Sequence, residues 1–213
     1  MEKLSRKSST QGRAQRAVES FGTASAAIGE CHAGMRLFCV TRGQWSMLDA
    51  IWAVLDQVGA SKVSLWTWTV AEYEVQVLSK MRQDSRITGG RLIIDAGART
   101  KNSGIIQEWQ NTFGSDSVRY ITNHAKIARI ETESGLKFLL RGSMNLNFNP
   151  RFEQFDISEG GPEFDLIEQI EEEFPILPDN CGGAQVWAAS KVSDAFDKEQ
   201  LDMFKDVKKV WAK

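Results

Sequence analysis

The chain has 213 residues, of which 42% are hydrophobic and 25% are charged, and its formal net charge is −2. This composition is that of a globular protein whose core is large enough to fold without disulfide bonds. It excludes a globally cationic nucleic-acid-binding protein, although it is compatible with a local basic patch. No apolar run reaches the length of about 18 residues that a membrane-spanning helix needs, so we expect no membrane contact.

The beginning of the chain is polar and basic. Residues 1–24 are rich in Ser, Gln, Lys and Arg, and we expect a flexible basic N-terminal arm that either has no role or contacts phosphate groups. No apolar stretch of signal-peptide length follows it. The three cysteines, Cys31, Cys39 and Cys181, have no Cys-x-x-Cys spacing, which favours reduced thiols in a cytoplasmic protein over a zinc site.

Strands alternate with helices over the first part of the ordered chain. The predicted strands, which are β-branched, aromatic or otherwise apolar, are 36–41, 62–69, 91–95 and 117–122. A helix is predicted between the N-cap Ser46 and Gly59, and helical spacing recurs over 71–82 and 105–113. Such alternation is typical of βαβ units. The sequence therefore predicts an α/β fold with a mixed, mainly parallel sheet that is flanked by helices on both faces.

The pattern changes after residue 125. Segments 126–131 and 136–140 flank the turn Glu133-Ser134-Gly135 and predict an antiparallel hairpin, and 152–157 is a further extended stretch. Pro162 is placed to begin a helix. The apolar stripe of that helix is Leu166, Ile167, Ile170 and Phe174, and its outward, solvated face is Glu168, Glu171 and Glu172. We assign residues 35–176 to one domain, and residues 177–213 to a C-terminal loop and amphipathic helix.

Four polar residues form the candidate site. His124 and Lys126 are two positions apart, so they share one face of an extended segment that follows a predicted strand. The hairpin then returns the chain to their level at Ser143 and Asn145. An imidazole, an ammonium, a hydroxyl and a carboxamide converge, and this set suits a tetrahedral oxyanion such as phosphate. No Asp/Glu cluster with metal spacing accompanies them, so we expect neither a metal nor another cofactor.

This pattern resembles the phospholipase D superfamily, whose motif is His-x-Lys, four residues, Asp, then Gly-Ser-x-Asn and a downstream Glu. The matching residues are His124, Lys126, Gly142, Ser143, Asn145 and Glu153. The chain departs from the family at Glu131, which stands in place of the Asp, and in a longer hairpin before the Gly-Ser-x-Asn segment. The resemblance implies a phospholipase D-like fold and a structural role for Glu131.

The resemblance also implies a catalytic role for each matched side chain. His124 would attack phosphorus and form a transient phosphohistidine. Lys126 and Asn145 would hold the non-bridging oxygens, and Ser143 would support the phosphate. Glu153 would bond the imidazole and fix its tautomer.

This mechanism needs a second histidine that protonates the leaving oxygen. The chain has two histidines, and the other one, His32, is not followed by a Lys two positions later. A symmetric homodimer would supply a second His124 across its twofold axis. Single-motif members of the family work in this way, so the resemblance favours a homodimer over a role for His32.

Other residues near the motif are candidates for substrate binding. Trp66 and Trp68 share one face of a predicted strand, where they either stack on bases or belong to the core. Arg141 and Arg151 flank the motif and either contact a polyanion or pair with a nearby carboxylate. Asp95 ends a predicted strand and either lines the cleft or caps the next turn.

Two functions fit these observations. The first is a metal-independent phosphodiesterase, a nuclease that acts on DNA or RNA through a phosphohistidine. The alternative is a non-catalytic module of the same fold that binds the phosphate backbone. A lipid phosphodiester transferase is a third possibility, which the small size and the lack of a lipid-facing apolar segment disfavour. We therefore expect a cytoplasmic homodimer that binds nucleic acid.

Overall fold

The described strands form one nine-stranded sheet in the computed structural model, which describes residues 5–10, 13–20, 22–174 and 176. The strands are β1 (Ser5–Thr10), β2 (Arg13–Ser20), β3 (Arg36–Thr41), β4 (Ser61–Thr67), β5 (Ile87–Asp95), β6 (Val118–Ile121), β7 (Ile127–Thr132), β8 (Lys137–Gly142) and β9 (Glu153–Glu159). Their order in space is β1-β2-β3-β9-β8-β7-β4-β5-β6. The strands on either side of the candidate motif, β7, β8 and β9, therefore lie next to one another.

Helices lie on both faces of this sheet, as the sequence predicts. They are α1 (Ala24–Ile28), α2 (Met47–Val58), α3 (Glu72–Gln83), α4 (Ala98–Lys101), α5 (Ser103–Phe113) and α6 (Pro162–Glu173). The first five cover the larger hydrophobic core. Helix α6 covers a smaller cluster on the opposite face, which is made of Trp66, Ile93, Ile121 and Phe174. Within the described ranges no helix combines the length and the apolar composition that spanning a membrane requires.

The sheet is mostly antiparallel, so the expectation of a mainly parallel sheet is wrong. Among the neighbouring pairs of described strands, β2–β3, β4–β5 and β5–β6 are parallel and the other five pairs are antiparallel. Alternation of strands and helices gives the parallel run β4 to β6 correctly. The β7–β8 hairpin and β9, however, insert between β3 and β4. Chain order cannot predict this insertion, because the docking of a hairpin onto other strands is a non-local choice.

Local signals set the ends of the elements on which the site depends. Helix α2 begins with a capping box in which Ser46 N donates to Asp49 Oδ2 at 2.7 Å and Asp49 N donates to Ser46 Oγ at 3.4 Å. The helix ends at Gly59, whose φ of 78° suits glycine. The hairpin turn contains Gly135 with φ 88°. The sequence analysis also uses Ser46, Gly59 and Gly135 to mark the start of the helix, its end and the hairpin turn.

Two strands stand where the sequence suggests a flexible arm. β1 pairs antiparallel with β2, and β2 pairs parallel with β3 along the edge of the sheet. Trp45 Nε1 donates to the buried Ser20 Oγ at 3.1 Å and fixes the end of β2. Main-chain ladders need no apolar side chains, which is why a polar composition is a poor guide here. The loop and helix expected for residues 177–213 lie outside the described residues.

Candidate active site

Adjacent strand ends bring the candidate residues to one end of the sheet. His124 and Lys126 precede β7, Ser143 follows β8, and Glu153 begins β9. Gly142 N donates to Lys126 O at 3.2 Å, which closes the hairpin ladder at the level of the motif. The fold-back of the hairpin that the sequence suggests is therefore present.

The ammonium of Lys126 lies against the imidazole of His124. Its Nζ is 3.1 Å from Nδ1 and 3.2 Å from Nε2, and it donates to the main-chain oxygen of His124 at 2.7 Å. The ammonium therefore contacts both ring nitrogens and the main-chain oxygen of the same residue. The His124 side chain is also exposed to solvent.

Glu153 is bound to Ser143 in this structure. Ser143 Oγ donates to Glu153 Oε2 and also accepts from Gln154 N at 3.0 Å. The resemblance implies a hydrogen bond between Glu153 and the imidazole of His124. In the structure, the Glu153 carboxylate instead accepts a hydrogen bond from Ser143. Its negative charge still acts on Lys126. The side chains thus form two pairs, His124 with Lys126 and Ser143 with Glu153, and the charge of Glu153 acts from one pair on the other.

Lys126 is the buried charge of the site. Its side chain is 8% exposed, and burial lowers the pKa of its ammonium, while the charge of Glu153 opposes that shift. Lys126 is two positions before Ala128, which belongs to the larger core, so its side chain leaves the sheet on the same face as that core. The site therefore has a buried cation beside an exposed imidazole.

Asn145 lies in the loop that connects β8 to β9. Its main-chain oxygen accepts from Met47 N at 3.4 Å, so the loop rests on the N-terminus of α2. Its carboxamide oxygen is buried and has no hydrogen-bond partner among the described residues. The loop is therefore held by its main chain, and the carboxamide is not committed to a protein partner through that oxygen.

Gly142 is required by close packing between strands β8 and β9. A Cβ at this position would lie 2.2 Å from Gln154 O and 3.1 Å from Phe155 Cα, and both contacts are with backbone. We expect Gly142→Ala to lower the free energy of unfolding by about 1–3 kcal/mol, measured by urea denaturation. Gly104→Ala in α5 is the control, since a Cβ there meets nothing within 4 Å. Equal midpoints for the two variants would contradict this account of Gly142.

Asn123 anchors the segment that carries His124, and the sequence analysis gave it no role. It is buried, and its Oδ1 accepts from Ala125 N at 2.9 Å while its Nδ2 donates to Thr67 O at 3.0 Å. Its main-chain N donates to Asp95 Oδ2 at 3.0 Å. An Asn that bonds its own backbone two residues later is a turn signal that the sequence carried. The ends of β4, β5 and β6 are thus tied together beneath His124.

Asp95 serves as a cap. Its Oδ1 accepts from Gly97 N at 2.9 Å, and its other oxygen accepts from Asn123. The sequence left open whether Asp95 lines the cleft or caps the next turn, and its contacts are those of a cap.

Trp66 and Trp68 have different environments. Trp66 is buried under α6, donates from Nε1 to Glu171 Oε1 at 2.8 Å, and packs against Phe174 with ring centroids 5.2 Å apart. Its assignment to substrate binding is therefore wrong, and the core interpretation holds. Trp68 lies beyond the end of β4, is 51% exposed, and has its ring centroid 6.0 Å from that of His124.

The two flanking arginines also differ. Arg141 is half-buried in register with Asp156 on β9, on the sheet face opposite Lys126. Burial raises the pKa of Asp156 and the charge of Arg141 opposes that shift. Arg141 therefore acts on Asp156 through its charge, and its role in substrate binding stays a prediction. Arg151 is exposed in the β8–β9 loop, two residues before Glu153.

Two further candidate residues lie far from His124. Glu131 is at the other end of β7, in register with Lys62 on β4 and Lys137 on β8. His32 precedes β3 at the end of the sheet opposite the site, and its exposed ring contacts Ala33 O at 3.0 Å. Neither residue is placed to contact a group bound at His124.

Acidic and sulfur ligands do not gather at the site. Over the described ranges, no group of three or more His, Cys, Asp or Glu side chains is arranged to hold a metal ion. Cys31 and Cys39 are free thiols, and burial raises the pKa of each to about 11. The chemistry that the site offers is therefore that of imidazole, ammonium, hydroxyl and carboxylate.

No family model matches the sequence, and no curated protein is significantly similar to it. Among solved structures, the fold is similar to a polyphosphate kinase from Porphyromonas gingivalis, with 14% identity and a TM-score of 0.46 over 71% of this chain and 27% of that one. It is also similar to a phospholipase D family member, Nuc from Salmonella typhimurium, with 15% identity and a TM-score of 0.39 over 64% of this chain and 90% of that one.

The chain thus spans about a quarter of the kinase, 27% of its length. Both similarities concern the fold.

Proposed function

We propose that the chain is a metal-independent phosphodiesterase of the phospholipase D type, a nuclease in which His124 is the nucleophile. One observation carries the proposal: the Lys126 ammonium lies against the exposed His124 ring, 3.1 Å from Nδ1 and 3.2 Å from Nε2. A neutral imidazole that is exposed to solvent can attack phosphorus through a ring nitrogen. A cation beside it stabilises the charge on the phosphate oxygens.

The reaction takes two steps. In the first, a ring nitrogen of neutral His124 donates its lone pair to phosphorus, and the bond between phosphorus and the leaving oxygen breaks. The leaving oxygen takes its proton from the imidazolium of His124 in a second copy of the chain. In the second step, that imidazole removes a proton from water, the water oxygen attacks phosphorus, and the nitrogen–phosphorus bond breaks. Both histidines then return to their starting protonation states.

The other polar groups of the site support these steps. Lys126 neutralises the non-bridging oxygens, and Asn145 donates to them. The charge of Glu153 opposes the lowering of the Lys126 pKa by burial, so the carboxylate favours the protonated ammonium. Glu153 also accepts from Ser143 and orients that hydroxyl. Because Ser143 gives its proton to Glu153, its role is to position that carboxylate beside Lys126.

We propose a homodimer because the mechanism needs a second histidine near the phosphate, as the acid that protonates the leaving oxygen. The chain has two histidines, and His32 lies at the end of the sheet opposite His124. A twofold axis near the exposed His124 would bring two imidazoles to one phosphate. Sedimentation velocity should show a dimer at the concentrations used for assays. A strict monomer that still turns over would remove this part of the proposal.

A cleavage assay without free metal tests the function. Wild-type protein is incubated with supercoiled plasmid and with a labelled single-stranded oligonucleotide, with and without EDTA. We expect cleavage that EDTA does not reduce, since no step uses a metal ion. Retention of the protein on the same oligonucleotide without any cleavage would contradict the proposal and support the phosphate-binding module.

A further inference from the structure

We propose that the exposed aromatic rings on the two sides of the site select single-stranded nucleic acid, with Trp68 stacking on a base next to the scissile phosphate. The proposal extends the proposed function by naming the substrate class. Trp68 is 51% exposed and Phe152 is 68% exposed. Large exposed rings beside a phosphate-binding group are placed to meet flat, unpaired bases.

The position of Trp68 is fixed by the same contacts that hold His124. Thr67 O accepts from Asn123 Nδ2 at 3.0 Å, and Thr67 Oγ1 donates to Thr69 O at 2.7 Å. Hydrogen bonds of the residues before and after Trp68 therefore hold the bend on which its side chain lies. Its ring centroid is 6.0 Å from that of His124, and the two rings are tilted by 51°. A base on Trp68 would thus adjoin a phosphate on His124.

Phe152 lies on the other side of the site, two strands away from β7 along the same end of the sheet. It directly precedes Glu153, and the Arg42 guanidinium lies over its ring at 5.4 Å. Arg42 is in turn bonded to Glu19 at 2.7 Å. From β9 to β4 the sheet advances by three strand spacings, roughly 14 Å. The aromatic rings therefore flank the phosphate position across the strand ends.

A duplex cannot use these rings in the same way. Its bases are paired and stacked on one another, so their faces are closed to a protein side chain, whereas an unpaired base presents its face at little cost. Stacking is also tolerant of sequence, because every base has such a face. The expected specificity is for strandedness, with weak preference among bases.

Binding measurements on a non-cleaving His124→Ala background test this proposal separately from the chemistry. Fluorescence anisotropy is measured with a labelled single strand, with the blunt duplex of the same sequence, and with the same strand made abasic. We expect Trp68→Ala to weaken binding of the single strand by about ten- to hundred-fold. Binding of the duplex and of the abasic strand should change by less than about threefold, and Trp68→Phe should restore most of the affinity.

Trp52→Ala is the matched control, since Trp52 is a 45% exposed ring with an Arg86 guanidinium 5.5 Å from its centroid. Its partner Arg86 precedes β5 at the end of the sheet opposite the site, so this variant should bind as the parent does. The proposal would be overturned if Trp68→Ala lost affinity equally for the base-bearing and the abasic strand, or lost affinity for neither. If the wild-type protein does not cleave nucleic acid but the variants show the predicted binding pattern, the stacking role of Trp68 is upheld and the proposed nuclease activity is refuted.

Discussion

His124→Ala is expected to lower kcat/KM for phosphodiester cleavage by at least about 10³-fold, because the variant lacks the group that forms the covalent intermediate. The side chain is exposed, so the fold and the affinity for single-stranded DNA should change little. A rate measured with a labelled oligonucleotide in EDTA gives the activity, and circular dichroism confirms the fold. Loss of cleavage together with retained binding is the expected combination.

His32→Ala is the control for this experiment. His32 is also exposed, and it lies at the other end of the sheet. We expect its kcat/KM to stay within about twofold of wild type, in line with most surface substitutions. Comparable losses in both variants would show that His124 has no special role, and so would full activity in His124→Ala.

Glu171→Ala is expected to lower the free energy of unfolding by about 3–5 kcal/mol, the effect of removing one partner from a buried charge network. The Glu171 side chain is fully buried. Its Oε1 accepts from Ser64 Oγ at 2.7 Å and from Trp66 Nε1 at 2.8 Å, and its Oε2 pairs with Arg129 at 2.9 Å. The substitution leaves a hydroxyl, an indole N–H and a guanidinium without this partner.

Urea denaturation of Glu171→Ala and Glu173→Ala separates this effect from a general loss of helix charge. Both glutamates belong to α6, but Glu173 is exposed and should change stability by no more than about 0.5 kcal/mol. The m-value should stay constant, so that the shift in midpoint reports stability. A loss below about 1 kcal/mol for Glu171→Ala would contradict the importance of the network.

The sequence placed Glu171 on a solvated face, and this prediction is wrong for a physical reason. The helical pattern shows only that Glu171 lies away from the apolar stripe of its own helix. Burial depends on Arg91 and Arg129, which point from β5 and β7 toward α6. These partners come from distant parts of the chain. Their convergence depends on the insertion of the hairpin beside β4, which the sequence also did not predict.

The candidate site was more predictable because its geometry is local. The spacing of His124 and Lys126 and the length of the hairpin are sufficient to bring Ser143 back to the same end of the sheet. Periodicity does not separate Trp66 from Trp68, since the sequence puts both on one face of a predicted strand, whereas β4 ends at Thr67. Helix α6 covers the first and not the second. The anchoring of His124 through Asn123 and Asp95 also depends on the parallel arrangement of β5 and β6.

Mass spectrometry of the quenched reaction tests most directly whether His124 attacks phosphorus. Cleavage of an oligonucleotide is stopped with alkaline denaturant, which preserves phosphohistidine, and the peptides are sequenced. The account predicts a phosphoryl-linked adduct on the peptide that contains His124, absent from His124→Ala. Cleavage in EDTA without this adduct, or an adduct on Ser143 in its place, would contradict it.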